Sequence, residues 1–267
     1  MVFSYKTEFP YLCQVENMQQ RYFIEISYNG TAYHGWQIQE NAVSVQEKLN
    51  EALAILLRQP IETIGAGRTD TGVHAKQLFV HFDSDAETLQ KPERFVHSLN
   101  ALLPFDIAVK RLIAVNPDAH ARFDATERSY EYHIHFSKDP FRHQFSWALR
   151  DQPDVEKMNL AAKDLLGKQD FSCFSKSNTQ VFTNNCDIKE AVWVWEGDHL
   201  VFHITADRFL RNMVRAIVGT LMEIGLGKKP VSYVKEVIAS KDRSKAGTSV
   251  PACGLYLTKV LYPYIGN

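Results

Sequence analysis

A chain of 267 residues, 45% apolar, with both charge signs mixed and a formal net charge of -1, has the make-up of a soluble globular protein of one large or two ordinary domains. It holds no apolar run of membrane-spanning length, and the stretch up to Gln20 carries Glu8 and Glu16 where a leader would be charged and then apolar; no membrane partner and a cytoplasmic location are expected. Four cysteines, Cys13, Cys173, Cys186 and Cys253, lie far apart without a C-x-x-C pair, which fits reduced thiols better than a zinc site or a disulfide framework.

Residues 1–20 lack clear periodicity and read as a loosely held arm. From Arg21 to Asn29 the alternation predicts a strand, with a turn signal at Tyr28-Asn29-Gly30-Thr31 and an aromatic loop, Tyr33-His34-Gly35-Trp36, behind it. Ser44 with Glu47 makes a capping box, and Val45, Leu49, Ala52, Leu53 and Leu56 at helical spacing predict a helix from Val45 to Arg58. Ile61 to Gly65 and Gln77 to Phe82 read as strands, Pro92 to Leu102 as a helix, and Ile107 to Val115 as a further strand. This strand, helix, strand, strand, helix, strand order is the split βαβ pattern of ferredoxin-like or RRM-like domains with an antiparallel sheet. Asn116-Pro117-Asp118 is the expected boundary, giving halves of 21–116 and 117–267.

The second half repeats the outline. Arg128 to Phe136 predicts a strand with Tyr130, Tyr132, Ile134 and Phe136 on one face, and Val155 to Leu166 a helix stopped by Gly167. Strands over Asp187–Glu196 and Leu200–Ala206 meet at Gly197-Asp198. An apolar stripe from Leu210 to Leu221 predicts a helix running to about Gly225, followed by a shorter helix from Ser232 to Ser240 and a last strand from Gly254 to Tyr262. The fold class expected is α+β. His133 and His135 share one face of their strand without a Cys or carboxylate at ligand spacing, so no metal is expected there.

Chemistry concentrates in Ile64-Gly65-Ala66-Gly67-Arg68-Thr69-Asp70-Thr71-Gly72-Val73-His74-Ala75. Glycines let backbone turn tightly and let a ligand approach, so an Arg and an Asp held among three glycines between strands are candidate site residues. A dinucleotide fingerprint is excluded, because Asp70 stands where the third glycine belongs and a strand follows instead of a helix. No phosphate-cradling lysine motif occurs either. Between Asp207 and Lys245 nine Lys and Arg face four Asp and Glu, a local excess suited to a polyanion in a chain that is otherwise near neutral. An Asp with an ordinary pKa of about 3.9 is ionised at neutral pH. A nearby Arg would keep it so, as nucleophile or electrostatic stabiliser. Arg211 and Arg215, one turn apart on the expected helix, and Tyr130 beside Arg128 are the other candidates.

Gly67-Arg-Thr-Asp70-Thr-Gly-Val-His-Ala75 resembles the catalytic signature of the tRNA pseudouridine synthase A (TruA) family. Phe123-Asp-Ala-Thr-Glu-Arg128-Ser-Tyr130-Glu-Tyr132, Phe209-Leu-Arg-Asn-Met213-Val-Arg215-Ala-Ile-Val-Gly219 and Gly254-Leu-Tyr-Leu257 resemble its later motifs in order, from about Arg21 to Tyr262. The resemblance implies a cofactor-free isomerase that converts uridine to pseudouridine at positions 38, 39 and 40 of the tRNA anticodon stem-loop. It also implies a homodimer with each tRNA lying across both subunits, and a cleft between two ferredoxin-like halves. By the same resemblance Asp70 is the nucleophile, at C1′ or at C6 or along a glycal path. Tyr130 stacks on the extruded uracil, Arg215 pairs with Asp70, Arg68 fills or supports the vacated stack, and Leu255 packs against the base. Thr71 stands where many relatives carry Ala. Two further readings stay open: the same chemistry on a narrower set of tRNA positions, and a non-catalytic RNA-binding protein on the same scaffold, for which the RNP1 pattern is missing.

Overall fold

The helix and strand signals resolve, in the computed structural model, into a mixed α+β molecule built on one large, mostly antiparallel sheet; residues 19–85, 89–176 and 183–266 are described. In chain order the first half supplies β1 (Gln19–Tyr28), α1 (Val45–Leu57), β2 (Ile64–Gly65), β3 (His74–Asp85), α2 (Pro92–Leu102) and β4 (Ile107–Ala114). The second supplies β5 (Glu127–His135), β6 (Trp147–Ala148), α3 (Val155–Ala162), β7 (Gly167–Asp170), β8 (Asn185–Glu196), β9 (His199–Ala206), α4 (Met213–Gly225), α5 (Tyr233–Ser240) and β10 (Leu255–Leu261). The sheet order is β4-β1-β3-β10-β5-β9-β8-β7, with β2 on β3 and β6 on β5.

Local chemistry sets most of these boundaries. The Ser44 hydroxyl accepts from Glu47 N at 3.2 Å while Glu47 Oε2 accepts from Ser44 N at 3.3 Å, so both orphan donors at the start of α1 are satisfied. Pro92 opens α2, where a missing N–H costs nothing. Gly197, at φ +66°, turns β8 into β9.

Several expectations need correction. The strand expected over Ile61–Gly65 shrinks to two residues. β10 occupies the first part of that edge of β3, at His74 and Ala75, leaving only His81 and Val80 for β2. The β3–β10 and β5–β6 ladders are parallel, so the sheet is not purely antiparallel, and the two sheets expected are continuous through β3 and β10. Arg211 does not lie on α4: Asn212 takes φ +66°, which breaks the helical repeat, and α4 starts at Met213. β6 and β7 were not expected; both are short strands without an alternating pattern. The expected arm lies outside the described residues except Gln19 and Gln20, which begin β1.

Two apolar cores lie along the sheet. In one, Tyr22 stacks on Phe82 and Phe82 on Phe95 of α2, which places that helix on one face of β1 and β3. On the other face Phe23, Phe79 and His81 meet the tail after β10, with Tyr262 edge-on to both phenylalanines. The second core fills the space between β5, β8, β9 and helices α3 to α5, centred on Tyr132, Phe202, Met213 and Ile217. Among the described residues no helix is long and apolar enough to cross a membrane.

His81 ties the loop ahead of β5 to this sheet, its Nδ1 accepting from Ala121 N at 3.0 Å. Burial, then the charge of Arg21, pushes its pKa down to about 4, so the folded imidazole is neutral above that pH. In the unfolded chain it titrates near 6.5. Between pH about 6.5 and 4 the unfolded state therefore holds the extra proton, and stability falls as pH falls. Urea denaturation should show the midpoint dropping across this window. His81→Asn, which keeps an acceptor for Ala121 N but cannot titrate, should flatten the drop.

Candidate functional site

The glycine turn ahead of β3 is held from behind by the aromatic loop after β1. Trp36 N donates to Thr69 O at 3.4 Å, Gly72 N to Tyr33 O at 3.2 Å, and the Tyr28 and Thr69 hydroxyls meet at 2.9 Å. Gly35 sits at φ +90°, and a Cβ built there would stand 2.2 Å from Thr69 O, so no other residue lets the two loops approach this closely. The far side of the turn is closed by the segment before β10: His74 Nε2 lies 3.2 Å from Cys253 O, and Gly72 faces Ala252. The turn is thus clamped on both sides, with Asp70 left facing α4.

There the Asp70 carboxylate meets two guanidinium groups. Arg215 Nη1 lies 3.4 Å from Oδ2, and Arg211 Nε lies 3.8 Å from Oδ1. Arg215 is itself fixed by donating Nε–H to Val250 O at 2.7 Å. α4 can come this close to the loop before β10 because Gly219 and Gly247 touch backbone to backbone: a Cβ on Gly219 would lie 1.9 Å from Thr248 O. Arg211 reaches the carboxylate from the turn ahead of α4 and is the more exposed of the two arginines.

Tyr130, on β5, stands edge-on to Phe209 with ring centroids 5.1 Å apart. Burial pushes its phenol up to about 12; Arg128 opposes the shift and the Asp70 charge adds to it. At neutral pH it is an uncharged phenol within the field of the carboxylate. Among the other expected residues, Arg68 is exposed at the rim, its pKa lowered by partial burial and then by the charges of Arg122 and Arg211. Leu255 opens β10 opposite Tyr132 and is 6% exposed, packed into the second core. Asp70, Arg215 and Tyr130 are therefore brought together, Arg68 edges the group, and Leu255 is packed in the second core beside Tyr132. His133 pairs with Glu131 at 2.9 Å and stacks on His199, outside the group.

Sequence reasoning missed the role of Arg128. Its guanidinium donates to four carbonyls: Nη1 to Ala125 O at 3.0 Å and Asp207 O at 2.8 Å, Nη2 to Ala66 O at 3.0 Å and Arg122 O at 2.7 Å. It forms no carboxylate ion pair among the described residues; backbone oxygens hold its charge, two residues from Tyr130. The signal was present, an Arg opening the strand in the second matched motif, but nothing in a sequence announces that a side chain will collect backbone oxygens.

A family model described as tRNA pseudouridine synthase matches residues 161–263. The chain is 52% identical over 244 residues to the tRNA pseudouridine synthase A of Parabacteroides distasonis, spanning 91% of this chain and 96% of that protein. It is 52% identical over 245 residues to that of Bacteroides fragilis, spanning 91% and 97%. To that of Treponema denticola it is 40% identical over 260 residues, spanning 94% and 96%.

Removing the Arg128 fork leaves four carbonyls short of a donor, but only Ala66 and Ala125 are buried residues whose unpaired acceptors cost about 1–3 kcal/mol each. Arg128→Met is expected to lower stability by about 3 kcal/mol in urea denaturation. Arg128→Lys, with a point charge in place of a planar fork, should recover less than half of the loss.

Proposed function

The chain belongs to the tRNA pseudouridine synthase A family, and from that premise we propose that it isomerises uridine to pseudouridine at positions 38, 39 and 40 of the tRNA anticodon stem-loop. The observation that carries the reading is the Asp70 carboxylate held against Arg215 beside the Tyr130 ring. The reaction breaks the bond from ribose C1′ to uracil N1, turns the base, joins C1′ to C5 and releases the C5 hydrogen as a proton while N1 gains one. Atoms and electrons balance within the nucleoside, so the residues needed are a carboxylate, a cation to hold it in place, and a surface for the freed ring.

Asp70 supplies the carboxylate, acting at C1′, at C6 or in forming a glycal. Arg215 is the paired cation. Tyr130, neutral at working pH, stacks on the extruded uracil and offers a hydroxyl lone pair toward C5, but it is no standing phenolate base. Arg68 at the rim takes the space the uracil leaves, since extrusion costs a few kcal/mol that some group must offset. Leu255 closes the wall behind the ring. Basic side chains around the cleft contact phosphates by charge and shape, which makes binding salt-sensitive.

The cleft falls between two ferredoxin-like halves, residues 21–116 and 117–267. Two strand orders support this reading: β4-β1-β3-β2 in the first and β10-β5-β9-β8 in the second, each the 4-1-3-2 order of a split βαβ unit. The halves exchange pieces, since Ala119, Ala121, Leu257 and Val260 pack in the first core. A homodimer in the cytoplasm with tRNA across both subunits completes the proposal.

Tritium release tests it. Wild type incubated with an unmodified tRNA carrying tritium at uracil C5 should release label, and Asp70→Asn should release at least about a thousandfold less while binding the RNA. Binding without release by wild type on several tRNAs would contradict the proposal.

A further inference from the structure

Ahead of β5 the chain presents a phenylalanine to solvent in a turn that has been made rigid. Phe123 is 73% exposed, although a ring of that size gains most by burial. The turn holding it has almost no freedom. Arg122 N and Phe123 N both donate to His120 Nδ1, at 3.1 and 3.4 Å, and Asp124 N donates to His120 O at 3.0 Å. Asp124 Oδ2 accepts from His120 N and from the Tyr264 hydroxyl, each at 2.8 Å, and Arg122 O accepts from Arg128. The His120 ring lies 4.3 Å from the Phe123 ring, centroid to centroid, and props it from one side. At 73% exposure the rest of the ring is accessible to solvent.

The position ties this ring to the site. The Arg128 guanidinium that holds Arg122 O also holds Ala66 O at the start of the glycine turn, and the Arg122 charge is felt by Arg68. Arg122 is exposed, lies over the Phe123 ring at 5.7 Å, and forms no ion pair with a carboxylate among the described residues. A largely exposed ring in a hydrogen-bonded turn, with a guanidinium over it that has no carboxylate partner among the described residues and can turn to a phosphate as a base takes its place, forms the pattern that holds a single-stranded nucleotide: base on ring, phosphate on guanidinium.

We infer that Phe123 and Arg122 form a nucleotide-stacking subsite at the rim of the cleft, which holds one unpaired nucleotide of the substrate RNA next to the uridine being isomerised. The inference rests on the tRNA reading above and names a contact within it. The ring is positioned before RNA arrives, so little ordering entropy opposes the stack. Phe123 is a binding residue and touches no reacting atom.

The test uses the full chain and an unmodified anticodon stem-loop RNA with 2-aminopurine placed, in turn, at each loop nucleotide flanking the target. Phe123→Ala should weaken binding about tenfold, with the loss falling on KM rather than kcat. One 2-aminopurine position should lose its quenching on that change and regain it with Phe123→Trp. Arg122→Gln should reduce the salt dependence of binding by about one ion. Thermal melts should be unchanged, because the truncated side chain is mostly solvated. Wild-type affinity in Phe123→Ala, or an effect confined to kcat, would overturn the subsite; so would wild type failing to bind the stem-loop. Wild type that binds without releasing tritium would defeat the synthase reading alone, and the binding arms would still judge the ring.

Discussion

The site depends on one contact across 145 residues, that between Asp70 in the glycine turn and Arg215 on α4. With side chains only 20% and 25% exposed at 3.4 Å, the desolvation of both groups offsets much of their attraction, so the pair is weak evidence for stability. Its value is positional, because it requires the two halves to meet in one register, and most of the tight packing in the molecule serves that register. The parallel β3–β10 ladder joins the halves, Gly35 lets the aromatic loop back the Asp70 turn, and Gly219 with Gly247 brings α4 against the loop that fixes Arg215.

Positive charge is concentrated around that carboxylate. Arg215 and Arg211 face it, Arg68 and Arg122 follow along the rim, and Arg128 is held nearby by four backbone carbonyls. Such a group of cations is costly in an empty protein and becomes favourable once a polyanion enters, which reconciles a chain of net charge -1 with an RNA substrate. Tyr130 fits the same field: burial and then the neighbouring carboxylate favour its neutral phenol, against the opposing charge of Arg128.

Much of this was legible in the sequence because it rests on local rules. The Ser44 and Glu47 box, Pro92, the Gly197 hairpin and the alternation around Tyr132 gave elements that the structure keeps, and the glycines of Gly67–Ala75 marked the turn that carries Asp70. What was not legible depends on partners distant in the chain. β2 is short because β10 takes its edge, a competition between residues nearly two hundred positions apart. Arg211 left the expected helix because Asn212 adopted a left-handed backbone that the apolar stripe could not reveal. Arg128 and Phe123 stand in a matched motif, but their places were not legible there, since one binds backbone carbonyls and the other is conspicuous only through its exposure.

The most direct test of the account is a crystal structure of Asp70→Asn bound to an anticodon stem-loop bearing 5-fluorouridine at the target. The account predicts the fluorouracil flipped from the RNA stack, lying on the Tyr130 ring with its C1′ next to residue 70 and Arg215, and Leu255 behind it. A target base still stacked in the RNA, or flipped into a site away from the glycine turn, would contradict it.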